Sequence, residues 1–96
     1  MLINRRTSLV KPGRVAEAVA LLKSGASHLA WVPPFRVLQS SIGTINQVVI
    51  ELEFETLADY DKFWTSYRAA PESADVMAMW NELNLSGGTN EIWVVA

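Results

Sequence analysis

The chain has 96 residues, of which 50% are hydrophobic and 19% charged, with a net charge of −2 at pH 7. That length suits one small domain with one core, residues 1–96, and that charge leaves no electrostatic footprint for nucleic acid or an anionic membrane. There is no cysteine and one histidine, which excludes disulfides and zinc–thiolate sites and leaves no expectation of a metal centre within one chain.

The start, Met-Leu-Ile-Asn-Arg-Arg, is followed by no apolar h-region, so no signal peptide is expected, and the expected location is the cytoplasm. Residues 2–10 read as a strand that stops at Lys11-Pro12-Gly13, with Pro12 suited to the first turn of a helix. From Val15, apolar residues at 15, 18, 19, 22, 26 and 29 mark one helical face, which Pro33-Pro34 ends. Residues 35–42 read as a second strand, Gly43-Thr44 as a short turn, and 45–55 as a third strand, making a hairpin. Thr56 opens Thr-Leu-Ala-Asp, a variant of the capping box, ahead of a stripe of Leu57, Tyr60, Trp64 and Tyr67. Pro71 restarts a helix with the face Val76, Met79, Trp80 and Leu83. Ser86-Gly87-Gly88 reads as a turn, and residues 91–96 as the last strand.

The order β-α-β-β-α(α)-β defines an α+β fold of the ferredoxin-like class. Right-handed crossovers place the first and third strands in the centre of a four-stranded antiparallel sheet, with the helices on one face. Alternation along the third strand then sends Val48, Ile50, Leu52 and Phe54 toward the helices. Val49, Glu51 and Glu53 face the opposite, uncovered side. Each flanking strand carries apolar side chains on both faces, so apolar groups also land on that side, whichever parity holds. A patch of that kind usually marks an interface, and a second copy packed sheet against sheet would cover it. The glutamates would need cationic partners there, because an unpaired buried carboxylate is costly. Arg5 or Arg6 on the adjacent strand can supply them. A homodimer through the sheet faces is therefore expected, with Arg5, Val49, Glu51 and Glu53 on the dimer face.

Two stretches carry a family resemblance. RRTSLVKPGRVAEAVAL (residues 5–21) is similar to the first strand and helix of NIPSNAP-type domains, and IGTINQVVIELEFETLADYDKFW (residues 42–64) resembles the second half of that pattern. The resemblance implies a dimeric α+β barrel, within a wider group that holds cofactor-free monooxygenases, small decarboxylating or dehydrating enzymes, and haem degraders. It implies no single shared reaction. The haem degraders use a strand-one Asn, a helix Trp and a later His; these positions align with Arg6, Phe63 and about Ser73, and none matches. Asn4 and Trp64 are near but out of register.

The expected pocket lies between the helices and their own sheet, with ligand-binding candidates Arg6, Asn46, Tyr60, Trp64, Tyr67 and Trp80, and with His28 and Trp31 near the end of the first helix. Aromatic side chains at helical spacing are most often core, yet Tyr and Trp also carry a polar tip that can rim a pocket. Histidine is the side chain suited to proton transfer near neutral pH, which makes His28 the catalytic candidate; its competing role is to cap the first helix, where the dipole favours a cation. Arg6, if it faces the helices, puts a guanidinium into an apolar pocket, to pair with a carboxylate or hold a ligand anion. Asn46 has a competing role in turn geometry. No cofactor motif stands out. Two functions follow. One is a homodimeric pocket protein for a small apolar or aromatic molecule bearing a carboxylate or enol oxygen, with cofactor-free oxygenation as a special case. The other is a non-catalytic interaction or stress-related dimeric module.

Overall fold

The structure, a computed structural model, describes residues 1–85 and 87–96. The turn expected at Ser86 lies outside the described residues. The elements are β1 (Leu2–Leu9), α1 (Val15–Ser24), β2 (Phe35–Gln39), β3 (Gln47–Phe54), α2 (Leu57–Ala69), α3 (Glu72–Leu83) and β4 (Thr89–Val94). The strands form one sheet in the order β2-β3-β1-β4, antiparallel at every step. β1 and β3 are central, as the crossover rule requires.

The sheet's inner face is set by β3. Val48, Leu52 and Phe54 are buried there, and Ile50 is half-buried between them. The core divides into two clusters. Val10, Ala18, Val48 and Leu83 form one, against Val15, Val19, Leu22 and Trp80. Leu52, Phe54 and Phe63 form the other, with Leu29, Val32, Tyr60 and Trp64 packed on it. Aromatic pairs make most of the second: Tyr60 stands edge-on to Phe54 at 5.7 Å and Trp64 edge-on to Phe63 at 4.9 Å.

Several boundaries differ from the sequence reading. Pro12 and Gly13 form a turn before α1 and not its first turn; Gly13 takes φ 79°, a value that favours glycine. α1 stops at Ser24, and residues 25–29 continue as tighter turns in which Ser27 N–H donates to Ser24 O and Leu29 N–H to Ala26 O. Gly25 sits where the chain is crowded from two sides: a Cβ there would lie 2.8 Å from Leu21 O of α1 itself and 3.2 Å from Val76 Cγ1 on α3. β2 ends at Gln39, and a loop over residues 40–46 replaces the expected two-residue turn. Ile42 in that loop is 99% exposed. Its closing residue, Asn46, adopts φ 62°, and its carbonyl accepts from Val10 N–H at 2.9 Å.

Thr56 does cap α2, its Oγ1 accepting from Asp59 N–H at 3.2 Å. The buried face of α2 is Phe63 and Tyr67, whereas Leu57, counted in the expected stripe, is exposed. On α3 the buried residues are Ser73 and Leu83, and Met79 points to solvent. α3 packs mainly against α1 and α2 and not on the sheet, so only part of its apolar face is covered.

Candidate functional site

Between the two core clusters, helices and sheet leave a cavity of about 520 Å³. Its walls come from both clusters: Val48, Ile50 and Leu52 on β3, Leu22 on α1, Phe63 on α2 and Trp80 on α3. Exposed Lys23, Ser27, Met77 and Gly87-Gly88 rim it. Gly88 is required at the rim, because a Cβ there would meet Thr7 O at 2.7 Å. The walls are mainly aliphatic and aromatic, the usual lining of a small-molecule site.

The polar feature is Arg6. Register fixes its direction. Arg5 pairs across to Glu51 and Arg6 to Ile50, so Arg6 shares the inner face with Asn4 and Ser8. Its guanidinium carbon sits 3.7 Å from the centre of the Trp64 ring, a cation–π stack. Among the described residues, Arg6 Nε is buried with no hydrogen-bond partner. Burial lowers the Arg6 guanidinium from its ordinary range; the nearby Tyr60 oxygen offsets part of this, and Arg68 adds to it. Among the described residues no carboxylate pairs with Arg6, a partner the sequence left open.

Asn4 holds Trp64 in place. Trp64 Nε1 donates to Asn4 Oδ1 at 3.2 Å, while Asn4 Nδ2 donates to Asn90 Oδ1 at 2.6 Å and to Glu91 O at 3.0 Å. Asn4 is 1% exposed, and these bonds engage its amide at both ends. The two residues that seemed out of register in sequence are thus in direct contact. Asn4 was missed as a site residue. The only signal for it was a polar side chain placed at an inward position of a central strand.

Of the other candidates, Trp64, Tyr67 and Trp80 line the cavity with Arg6. Tyr60 and Asn46 do not. Tyr60 packs in the aromatic cluster, and Asn46 serves the turn before β3. Trp31 stands on the far side of that cluster, edge-on to Phe54 and Phe63 and half-exposed. His28 is not a cap on α1, which has already ended; its Nε2 lies 2.8 Å from Ser73 Oγ at the start of α3, and its ring sits 5.9 Å from that of Tyr67. Among the described residues no group of three or more His, Asp or Glu side chains gathers to hold a metal ion.

The opposite sheet face carries a second constellation. Glu51 is 4% exposed. It accepts from Arg5 Nε at 2.8 Å on Oε2 and from Arg36 Nε at 2.7 Å on Oε1. Burial pushes the Glu51 carboxyl up, but the hydrogen bonds from Arg36 and Arg5 outweigh it and hold the group below the ordinary carboxylate range. The cover is shallow, made by the two arginines themselves, and Arg36 is 71% exposed. Arg5 also lies 5.9 Å from the ring of Trp93. Leu38 and Trp93 stand exposed on this face, with Ile3 and Val49 half-buried. Glu53 is exposed and takes part in no ion pair among the described residues. Arg36 was not foreseen as a partner because it lies on the edge strand, whose parity the sequence left open.

A ferredoxin-like α+β domain with a helix–sheet cavity is the class these features define. The same fold occurs in an uncharacterized NIPSNAP domain protein from Burkholderia xenovorans, with TM-score 0.85, 19% identity, and coverage of 100% of this chain and 95% of that one. A NIPSNAP family protein of unknown function from Agrobacterium tumefaciens superposes with TM-score 0.78 at 22% identity, covering 97% and 86%. An antibiotic biosynthesis monooxygenase superposes with TM-score 0.73 at 13% identity, covering 100% and 99%. No family model matches the sequence, and no curated protein does. The chain therefore has the NIPSNAP-like fold, and the two NIPSNAP neighbours named above are described as uncharacterized or of unknown function.

Proposed function

We propose that this protein binds a small apolar or aromatic molecule bearing an anionic oxygen, in the cavity between its helices and sheet. The observation that carries this reading is Arg6: a cation fixed on Trp64, with a buried Nε free of any described partner, at the wall of an otherwise apolar cavity. A desolvated guanidinium with an unused Nε–H donor is costly to the free protein and recovers that cost when an oxyanion accepts from it. Trp64 and Trp80 line the space without closing it, so room remains for a ligand.

The protein works as a homodimer whose copies meet through the helix-free sheet faces. Exposed Leu38 and Trp93 beside the Arg5–Glu51–Arg36 group support this, since an exposed apolar patch on a sheet face usually marks an interface and the buried Glu51 carboxylate is already paired. Among the described residues no helix is long and apolar enough to cross a membrane, and we assign the protein to the cytoplasm.

A thermal-shift panel of aromatic and aliphatic acids tests the binding reading. At least one acid should raise the melting temperature of the wild type and leave Arg6→Gln unmoved. The absence of any shift across the panel would favour the competing reading, a dimeric interaction module with no ligand.

A further inference from the structure

Asn90 lines the same cavity as Arg6, and the reading above leaves it unused. The two residues are direct cross-strand partners of β4 and β1, so their side chains stand side by side on the inner face of the sheet. Asn90 is exposed, which puts it at the cavity mouth, and Arg6 lies half-buried next to it.

The bonds around Asn4 fix which way the Asn90 amide faces. An indole N–H only donates, and a backbone carbonyl only accepts. Asn4 therefore presents Oδ1 to Trp64 Nε1, at 3.2 Å, and Nδ2 to Glu91 O, at 3.0 Å. The same Nδ2 donates to Asn90 at 2.6 Å, so the Asn90 atom that meets it is the acceptor, Oδ1. Oxygen and nitrogen diverge from the carbon of a carboxamide. Asn90 Nδ2, with two protons to give, is thus the end turned away from Asn4. Arg6 adds its buried Nε–H, which has no partner among the described residues. No Asp or Glu is among the described residues that line the cavity.

We propose that Asn90 is a second binding residue for the ligand, and that Arg6 and Asn90 together make the cavity selective for a carboxylate. This rests on the ligand-binding reading of the cavity. One carboxylate oxygen accepts from Arg6 Nε–H and the other from Asn90 Nδ2–H. The carboxylate then sits on the β1–β4 side, near the mouth, and the apolar body extends toward Leu22, Val48 and Ile50. A carboxylate accepts at both oxygens and so satisfies both donors. A primary carboxamide of the same shape brings one acceptor and one donor, and its NH2 meets an N–H of the protein. A site built to hydrogen-bond its ligand rejects an analogue that leaves its groups unpaired. One network sets both donors: the Trp64 ring carries Arg6 on its face, and its N–H, through Asn4, orients Asn90.

The test compares 2-naphthoate with 2-naphthamide, which match in shape, by calorimetric titration at pH 7.5. The wild type should bind naphthoate roughly tenfold or more tightly than naphthamide, the value of one hydrogen bond to a charged group. Asn90→Asp keeps the acceptor that Asn4 uses and replaces the outward NH2 with an oxygen. Its affinity for naphthoate should fall by roughly tenfold or more, and its preference should reverse, with naphthamide bound more tightly than naphthoate. Asn90→Ala adds no charge; it should weaken naphthoate by roughly tenfold and naphthamide by less. Should the Asp variant not fold, the Ala variant decides. A wild type that binds naphthoate no better than naphthamide, or an Asn90 variant that binds naphthoate as the wild type does, overturns the proposal and leaves the cavity reading intact. An Arg6→Gln variant that binds naphthoate as the wild type does overturns both.

Discussion

The Arg6 guanidinium stacks on the Trp64 indole at 3.7 Å, and the indole N–H is in turn held by Asn4. One residue places the charge and another places the ring beneath it. The pair is already held in place by these contacts with no ligand present, and a preorganised site loses less entropy on filling.

Replacing Arg6 with Met should separate stability from function. The substitution removes a desolvated cation whose Nε lacks a described partner and keeps an apolar, ring-contacting side chain. An unsatisfied buried donor costs more than the lost cation–π stack, so the variant should gain about 1 kcal/mol in urea unfolding. It should also lose the ligand-induced melting shift. A variant less stable than wild type would mean that Arg6 is structural.

Glu51→Gln should cost about 1–2 kcal/mol at pH 7, between the values for exposed and buried ion pairs, because both arginines stay partly in water. The sign with pH is fixed. A carboxyl held below its ordinary value of 4.5 contributes its full stability above that pH and loses it as pH falls through the folded value. Urea unfolding at pH 7 and pH 3 should show the gap between wild type and variant narrowing at pH 3. An equal gap at both would remove the ion pair as its cause.

Gly25→Ala should lower the melting temperature, although a Gly→Ala change at a helical φ ordinarily raises it. The backbone at Gly25 is compatible, with φ −65°, but the new Cβ would lie 2.8 Å from Leu21 O. The cost should be about 1–2 kcal/mol, or several degrees in a domain of this size. A higher melting temperature would show that the backbone around Leu21 can give way without loss.

Trp93→Glu should turn the proposed dimer into a monomer, because it places a charge on the exposed sheet face beside Arg5. Sedimentation equilibrium at micromolar concentration should give twice the chain mass for wild type and the single-chain mass for the variant. A wild-type monomer would retire the dimer.

The sheet was legible in the sequence because alternation in β3 admits one reading: Val48, Leu52 and Phe54 inward, Glu51 and Glu53 outward. The choice between Arg5 and Arg6 was not. Both flank one peptide bond, and only the pairing of Arg5 with Glu51 decides which turns inward. Asn4 was missed for a related reason. An inward polar residue is visible as a side chain whose partners, Asn90 and Trp64, lie 86 and 60 residues away, beyond any local pattern. His28 was read near the end of the helix because apolar periodicity runs past Ser24, where α1 gives way to tighter turns that hydrophobicity does not register.

The tryptophan indole N–H signals test the central claim most directly. The chain has four tryptophans; Trp64 and Trp80 line the cavity, whereas Trp31 and Trp93 lie outside it. In a ¹H–¹⁵N NMR titration with an acid that raises the melting temperature, the signals of Trp64 and Trp80 and the Arg6 Nε–H should move together, and those of Trp31 and Trp93 should stay. Movement of Trp93 with Trp64 and Arg6 unperturbed would place the ligand on the sheet face and contradict the account.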